Sequence, residues 1–276
     1  MFNACWLALR CAVVFVAFTL TAFSSSAQFS KLDTLGEGLA KKLKSGKFHM
    51  IAVADLTALD GSASGQGEYF ASLISASIQR HGKKKTPVAD HAAFDALLLR
   101  KHITAGNLSS AESLRDIAKR GNLDVVLTGT IEKSEDSYDV QVKAIQASDG
   151  AILAAQRVSF RRSDFTDSLS EPFTPTADYL VLKSFGPGVK PPACVRCPQP
   201  PYNDYARQEK ISGTSLFDIM VSTEGRAVRI HPKRLIGYGL DEEAYEVIKR
   251  WQFKPAEKDG RPVAVVVEVE VTFHLY

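Results

Sequence analysis

The sequence predicts an α+β protein made of two domains joined by a proline-rich segment. Three observations carry that expectation. Eight of the twelve prolines fall between Pro172 and Pro201, at a density that excludes helix and central strand. Upstream of them, apolar residues at helical spacing give way to segments of period two. Downstream, the chain closes on a run in which Val263, Val265, Val267, Val269, Val271 and Phe273 take every second position, the pattern of a half-buried strand. The expected boundaries are a targeting segment at 1–27, a mixed α/β domain at 28–165, a linker at 166–200 and a second domain at 201–276.

The targeting segment is read from residues 11–23, CAVVFVAFTLTAF, an uncharged apolar run behind Arg10 and ahead of SSSAQ. Thirteen residues fall short of the ~20 a membrane span needs, but suit an export signal. Small residues place the expected cut between Ala27 and Gln28, which leaves the protein in the periplasm with no membrane span. The alternative is an uncleaved inner-membrane anchor over residues 5–23. Cleavage would remove Cys5 and Cys11 and leave Cys194 and Cys197.

In the first domain, KLDTLGEGLAKKLKSG suggests an amphipathic helix and HMIAVADL (49–56) a strand. The glycine-rich loop from Gly61 to Gly67 leads into a helix carrying Phe70, Leu73, Ile74 and Ile78 at helical spacing. A short strand at 86–89 precedes a helix with Phe94, Leu97 and Leu98. Another helix runs from about Ser110 to Lys119 and stops near Gly121. LDVVLTGTI, YDVQVKAI and AILAAQRVSF then predict three meandering antiparallel strands, the last pair joined at Asp149-Gly150. Helices on one face of this sheet would bury its apolar positions.

The second domain is expected as a three-stranded antiparallel sheet with one helix on its apolar side. Phe217, Ile219 and Val221 share a strand face, Glu224-Gly225 turns the chain, and AVRIHP returns it. Asp241 is expected to cap a helix whose Ala244, Val247, Ile248 and Trp251 share one side. Lys254-Pro255 ends that helix.

Composition narrows the function. The 276 residues are 45% apolar and 24% charged, with a formal charge of +3. So small an excess argues against nucleic-acid binding, and four cysteines are too few for a disulfide scaffold. The loop DGSASGQGEYF lacks both G-x-G-x-x-G and a terminal Gly-Lys-Ser/Thr, so it is read as a structural turn rather than a phosphate cradle. The six histidines show no metal-ligand spacing, and neither HExxH nor GxSxG occurs. No catalytic residue, cofactor or metal site is expected. Lys83–Lys85 and Arg161-Arg162 are read as solvent-facing, as are His274, Glu268 and Glu270. Cys194 and Cys197 are expected to form a small disulfide that stiffens the joint. An exchanging thiol pair and half of a shared metal site stay open as alternatives.

The stretches PPYNDYARQEKISGTSLFDIMVSTEGRAVRI and LDEEAYEVIKRWQFKPAEKDGRPVAVVVEVEVTFHL resemble the C-terminal domain of the TonB family. The carriers are the turn Gly225, the helix end Trp251-Gln252-Phe253-Lys254-Pro255-Ala256 and a valine-rich last strand closing at Phe273. Two positions depart: the family's frequent Tyr-Pro is Tyr202-Asn203, and its common Arg is Gln252. The N-terminal domain resembles the α/β domain of curli-export and flagellar outer-membrane lipoproteins. IAVADLT, LDVVLTGTI and a strand pair split by SDGAIL carry that likeness.

The TonB resemblance implies a module that grips a short segment of an outer-membrane protein. Its physical mode is strand addition, in which an exposed sheet edge takes an extended peptide through backbone hydrogen bonds. The strand of Val263, Val265, Val267, Val269 and Val271 is the candidate edge, whereas Gly225, Trp251, Phe253, Pro255 and Phe273 are expected to define the fold. The resulting expectation is a non-enzymatic periplasmic protein that binds an envelope partner and whose N-terminal domain assembles with itself or with another envelope component. Three other readings stand beside it: an anchored energy transducer for outer-membrane transport, an envelope assembly protein, and a thiol-exchange protein. The transducer needs both an anchor and reach, and ~30 extended residues at about 3.1 Å each span only ~90 Å.

Overall fold

The structure is a computed structural model that describes residues 26–82, 87–108, 110–171, 173, 180–181 and 187–275. The expected signal, the alternative anchor at 5–23 and the Lys83–Lys85 patch lie outside these residues, apart from the last two positions of the signal.

The first helix, α1 (Ser26–Leu43), is amphipathic, and the expected cut after Ala27 falls in its first turn. Phe29, Leu32, Leu35, Leu39, Ala40 and Leu43 are all buried, so its apolar stripe recurs every three to four residues. Each such side chain contributes about 1.5–3 kcal/mol relative to exposure. Next come β1 (Ile51–Val53) and β2 (Thr57–Ala58). The glycine-rich loop then leads into α2 (Gly65–His81), whose N-cap Ser64 accepts a hydrogen bond from the Gly67 N–H. A Cβ at Gly67 would lie 1.9 Å from the Leu56 carbonyl oxygen. The glycine therefore permits a close backbone approach, in keeping with a structural turn.

Helices α3 (His91–Arg100) and α4 (Ala111–Gly121) follow. Then β3 (Val125–Lys133), β4 (Ser137–Gln146) and β5 (Ile152–Arg161) form the antiparallel meander. The sheet order is β1-β3-β4-β5, with β1 and β2 both pairing parallel to β3.

Helices cover both faces of this sheet, not one. Ile51, Val53, Val125 and Leu127 share a core with α1 and α2. Ala52, Val126 and Ile145 pack with Phe94 and Leu98 of α3 and Leu114 and Ile117 of α4. Strands buried on both faces lose the period-two signal that would have shown this.

Beyond the sheet, α5 (Asp164–Ser168) carries a capping box between Ser163 and Thr166. Arg162 forms a bidentate pair with Asp167, at 3.1 and 2.6 Å, and donates to the Ser134 and Glu135 carbonyls. It is a structural clamp, so the solvent-facing reading of Arg162 is corrected.

The described parts of the proline-rich segment pair with the strands that follow it. The segment holds β6 (Leu180–Val181), β7 (Val189–Lys190) and β8 (Ala193–Arg196). After α6 (Asp204–Gln208) come β9 (Gly213–Val221), β10 (Ala227–Arg234), α7 (Leu240–Ile248), β11 (Gln252–Lys254), β12 (Ala256–Lys258), β13 (Arg261–Val263) and β14 (Val265–Phe273). The three short strands pair with β14, β12 and β11 respectively. Proline forbids central strands but tolerates such brief edge pairings.

The C-terminal sheet runs β10-β9-β14-β6, so β6 adds a fourth strand to the expected three. One continuous apolar core joins both domains, from Phe29 and Tyr69 to Phe217, Tyr245 and Phe273. Phe29 meets Tyr205 at 4.7 Å, and Phe165 stands edge-on to both Tyr69 and Tyr245. The two domains are docked on one another.

Candidate functional site

Strand β14 pairs along its whole length with β9, from Val265↔Val221 to Phe273↔Gly213. Val265, Val271 and Phe273 are buried, and Val267 and Val269 are partly buried against the core. Glu268, Glu270 and Thr272 project to solvent. On the other side of β14, the two residues of β6 pair only with Val265 and Val266. Among the described residues, no strand pairs with that side from Val267 to Phe273.

Val263 does not belong to this edge. It lies on β13, opposite Ala256 of β12, in a hairpin turned by Asp259 and Gly260, both at positive φ. The valine alternation runs through the bend at Ala264 without marking it. The opposite edge of the sheet, β10, borders a cleft of about 400 Å³ shared with Asp164, Ser168 and Phe173. There the His231 ring stacks on Phe173 at 5.3 Å, and burial, first among its influences, lowers the pKa of that imidazole.

The five family positions lie where chain segments cross. Gly225 has φ +76°, and a Cβ there would stand 1.9 Å from the Phe253 carbonyl oxygen. Its own carbonyl accepts the Phe253 N–H at 2.8 Å. Trp251 is buried, and its Nε1–H donates to the Pro198 carbonyl at 3.0 Å. Phe253, in β11, packs edge-on against Trp251 with ring centroids 6.0 Å apart, and pairs opposite Cys194 of β8. Pro255 marks the step from β11 to β12. Phe273 meets Tyr202 edge-on at 5.5 Å. On the exposed β8 side, Cys194 and Cys197 are joined by a disulfide with Cα atoms 6.0 Å apart.

Two further groupings escaped the sequence reading. Asp241 does not cap α7, because Gly239 holds that position in a left-handed conformation. The Asp241 carboxylate instead accepts the Ser215 hydroxyl, the Ile236 N–H and the Gly237 N–H, at 2.5, 3.0 and 2.5 Å. Beside it lies Glu242, also buried, with the Tyr69 hydroxyl of α2 3.3 Å from both its oxygens. Burial foremost pushes the Glu242 pKa up to about 8, and the Asp241 charge adds to it. Burial likewise pushes Asp241 up to about 6, against its hydrogen bonds. This junction lies between the domains, and no local pattern connects Tyr69 to residues 172 positions away.

The second grouping is Asp55, His91 and Asp95. His91 opens α3, Asp95 lies one turn on, and Asp55 follows β1. The His91 Nε2 is 2.8 Å from Asp55 Oδ1 and 3.4 Å from Asp95 Oδ2, and its Nδ1 is 3.2 Å from the Val53 carbonyl. The contact with Asp55 foremost raises the His91 pKa, against burial. Only the His-x-x-x-Asp spacing on α3 was available in the sequence, and it is weak without Asp55.

A family model described as FlgO protein matches residues 20–165, just over half of the chain. The chain belongs to the FlgO protein family. This FlgO-family chain also matches, over residues 198–275, the family described as Gram-negative bacterial TonB protein C-terminal. Protein TonB from Vibrio cholerae serotype O1 is 34% identical over 107 residues, 38% of this chain and 44% of that protein. The FlgO-family chain therefore spans less than half the length of that relative.

Among solved structures, the LpoB C-terminal domain from Salmonella enterica aligns with TM-score 0.39 and 10% identity, over 48% of this chain and 97% of that one. The Pseudomonas aeruginosa TonB CTD aligns with TM-score 0.27 and 21% identity, over 33% and 89%. Both likenesses are too distant to bear on mechanism.

Proposed function

We propose that this FlgO-family protein is a non-enzymatic adaptor of the periplasm. In this reading its TonB-type C-terminal domain takes an extended segment of an envelope protein along β14. Binding is by strand addition: peptide N–H and C=O groups pair with those along the outer side of Val267–Phe273, and side chains supply specificity. The observation that carries the proposal is the asymmetry of β14: among the described residues it is paired over nine residues on one side and over two on the other. The outward Glu268 and Glu270 fit such a role, since charges on an edge strand discourage unspecific pairing. A disulfide at Cys194–Cys197 fits an oxidising compartment better than thiol exchange.

The N-terminal domain is proposed to assemble with itself or with a second envelope component. Energy transduction is the less favoured reading. Pairing of β7 and β8 with β12 and β11, and the bond from Trp251 to Pro198, shorten the reach that a spacer would supply.

Site-specific photo-cross-linking in cells tests the edge. A cross-linker at Glu270 should give adducts with an envelope protein, whereas one at the β10 position Val228 should not. Equal adducts from both positions, or none from Glu270 while Val228 reacts, would reject the β14 edge.

A further inference from the structure

We propose that Asp55, His91 and Asp95 form a binding site for a divalent transition-metal ion, with Zn²⁺ the best match to their donors. One ligand atom from each of the three residues lies within 4.8 Å of the others. That spacing suits a single ion holding one imidazole nitrogen and two carboxylate oxygens.

The orientation of the imidazole supports this assignment. Nδ1 faces the Val53 carbonyl at 3.2 Å, and a carbonyl can only accept, so Nδ1 carries the proton. In the neutral ring this leaves a lone pair on Nε2, directed at Asp55 Oδ1 and Asp95 Oδ2. Ligating histidines are commonly fixed in this way, by a backbone carbonyl holding the other nitrogen. Asp55 Oδ1 and His91 Nε2 are both sealed from water, and their approach lacks the alignment of a hydrogen bond. With the ring neutral, three acceptors thus converge on one point, where a cation would take the place of the Nε2 proton that Asp55 otherwise favours.

The surroundings agree in charge and place. Asp55, Glu68 and Asp90 all act on Asp95 with like sign. Asp90 is spent as the N-cap of α3, accepting the Ala93 N–H at 2.9 Å, so it shapes the field without ligating. Those carboxylates offset the positive end of the α3 dipole, which alone would oppose a cation. Asp55 lies two residues past the carboxyl end of β1, in the parallel part of the sheet, where open α/β sheets gather ligands.

The donor set selects the metal. Ca²⁺ takes six to eight oxygens and Mg²⁺ an octahedron rich in water. A mixed nitrogen and carboxylate set with open positions suits Zn²⁺, with Mn²⁺ second. The three side chains are only partly exposed, so water or one further ligand completes the shell.

The test is calorimetric titration of the full, oxidised chain with ZnCl₂ in a buffer that does not chelate. One ion per chain should bind. Asp95→Asn, which keeps shape and removes charge, should weaken binding at least tenfold, since losing even a residue that only orients a ligand costs about 10- to 100-fold. His91→Ala should abolish binding, and His274→Ala should leave it unchanged. Nitrogen-15 NMR of the imidazoles gives a readout that stands apart from affinity: Zn²⁺ should move the His91 Nε2 resonance and leave Nδ1 protonated. Undiminished Zn²⁺ binding by a His91→Ala chain with native circular dichroism would overturn the assignment. So would a His91 signal that stays fixed at saturating Zn²⁺ in the unsubstituted chain.

Discussion

The buried junction of Tyr69, Asp241 and Glu242 predicts a fold whose stability falls as pH rises through neutrality. Glu242 is 3% exposed and Asp241 fully buried. Burial raises the Glu242 pKa from 4.5 to about 8. Between those values the folded state holds a proton that the unfolded state has released. Stability therefore declines with pH across this window, by at most about 1.4 kcal/mol per unit. The contribution is complete below pH 4.5 and lost as pH passes about 8. Asp241, raised to about 6 by burial, has the same sign over a lower range. The His231 pKa is lowered, which gives the opposite slope, so the total curve mixes signs.

Comparison with Glu242→Gln isolates the group, because Gln mimics the neutral carboxyl and cannot ionise. From pH 5 to 7.5 the unsubstituted protein should lose up to about 3 kcal/mol more than the variant. For a protein of this size that is a difference of about 6–12 °C in unfolding temperature. Thermal unfolding followed by circular dichroism at four pH values in that range measures it. A Glu242→Gln stability difference that stays constant with pH would refute the reasoning, since Glu242 would then titrate alike in both states.

Other substitutions probe chain crossings in both halves of the protein. Gly225→Ala places a methyl against the Phe253 carbonyl at positive φ, and denaturant unfolding should show a loss of at least about 1–3 kcal/mol. Trp251→Phe removes the donor to Pro198 but keeps an aromatic body, so about 1 kcal/mol should be lost from the hydrogen bond, plus a smaller packing cost. Tyr138→Phe removes the hydroxyl that donates to Asp167 at 2.5 Å and should cost about 1.5–3 kcal/mol, as for bonds to charged groups. Cys194→Ser with Cys197→Ser opens a very short loop and should cost no more than about 2 kcal/mol; a much larger loss in urea unfolding would give the disulfide a wider structural role.

Legibility in the sequence followed the range of the interaction. The meander of β3, β4 and β5 was readable because Asp149-Gly150 and the alternation around Val140 and Val142 are local. The C-terminal sheet and α7 were readable for the same reason. The bend at Ala264 was not, because Val263, Val265 and Val267 keep their period through it while their pairing partners change. The strand pairings of the proline-rich segment were not readable, because proline content reports what a chain cannot form internally and says nothing of edges it can lean on. Pro198 is held through its carbonyl, which proline keeps. Asp55 and Tyr69 were missed because their partners arrive from distant segments.

Docking of the two domains alters what partner binding at β14 can do. Separating them would expose Phe29, Tyr69, Phe165 and Tyr245, all at 7% or less of their free area. It would also break three aromatic contacts that cross the junction, between Phe29 and Tyr205, Phe29 and Tyr238, and Phe165 and Tyr245. The geometry of such pairs adds about 0.5–1.5 kcal/mol each beyond the area buried. A peptide added to β14 therefore meets a sheet whose core is continuous with the N-terminal domain, not a module swinging on a tether. Force or position applied at the edge passes through packed side chains, which resist compression, into α2 and the sheet behind it. An adaptor gains from that stiffness, because both binding surfaces keep a fixed relation. A long-range transducer would gain more from a loose spacer, and here the spacer is consumed by β7, β8 and the Pro198 bond.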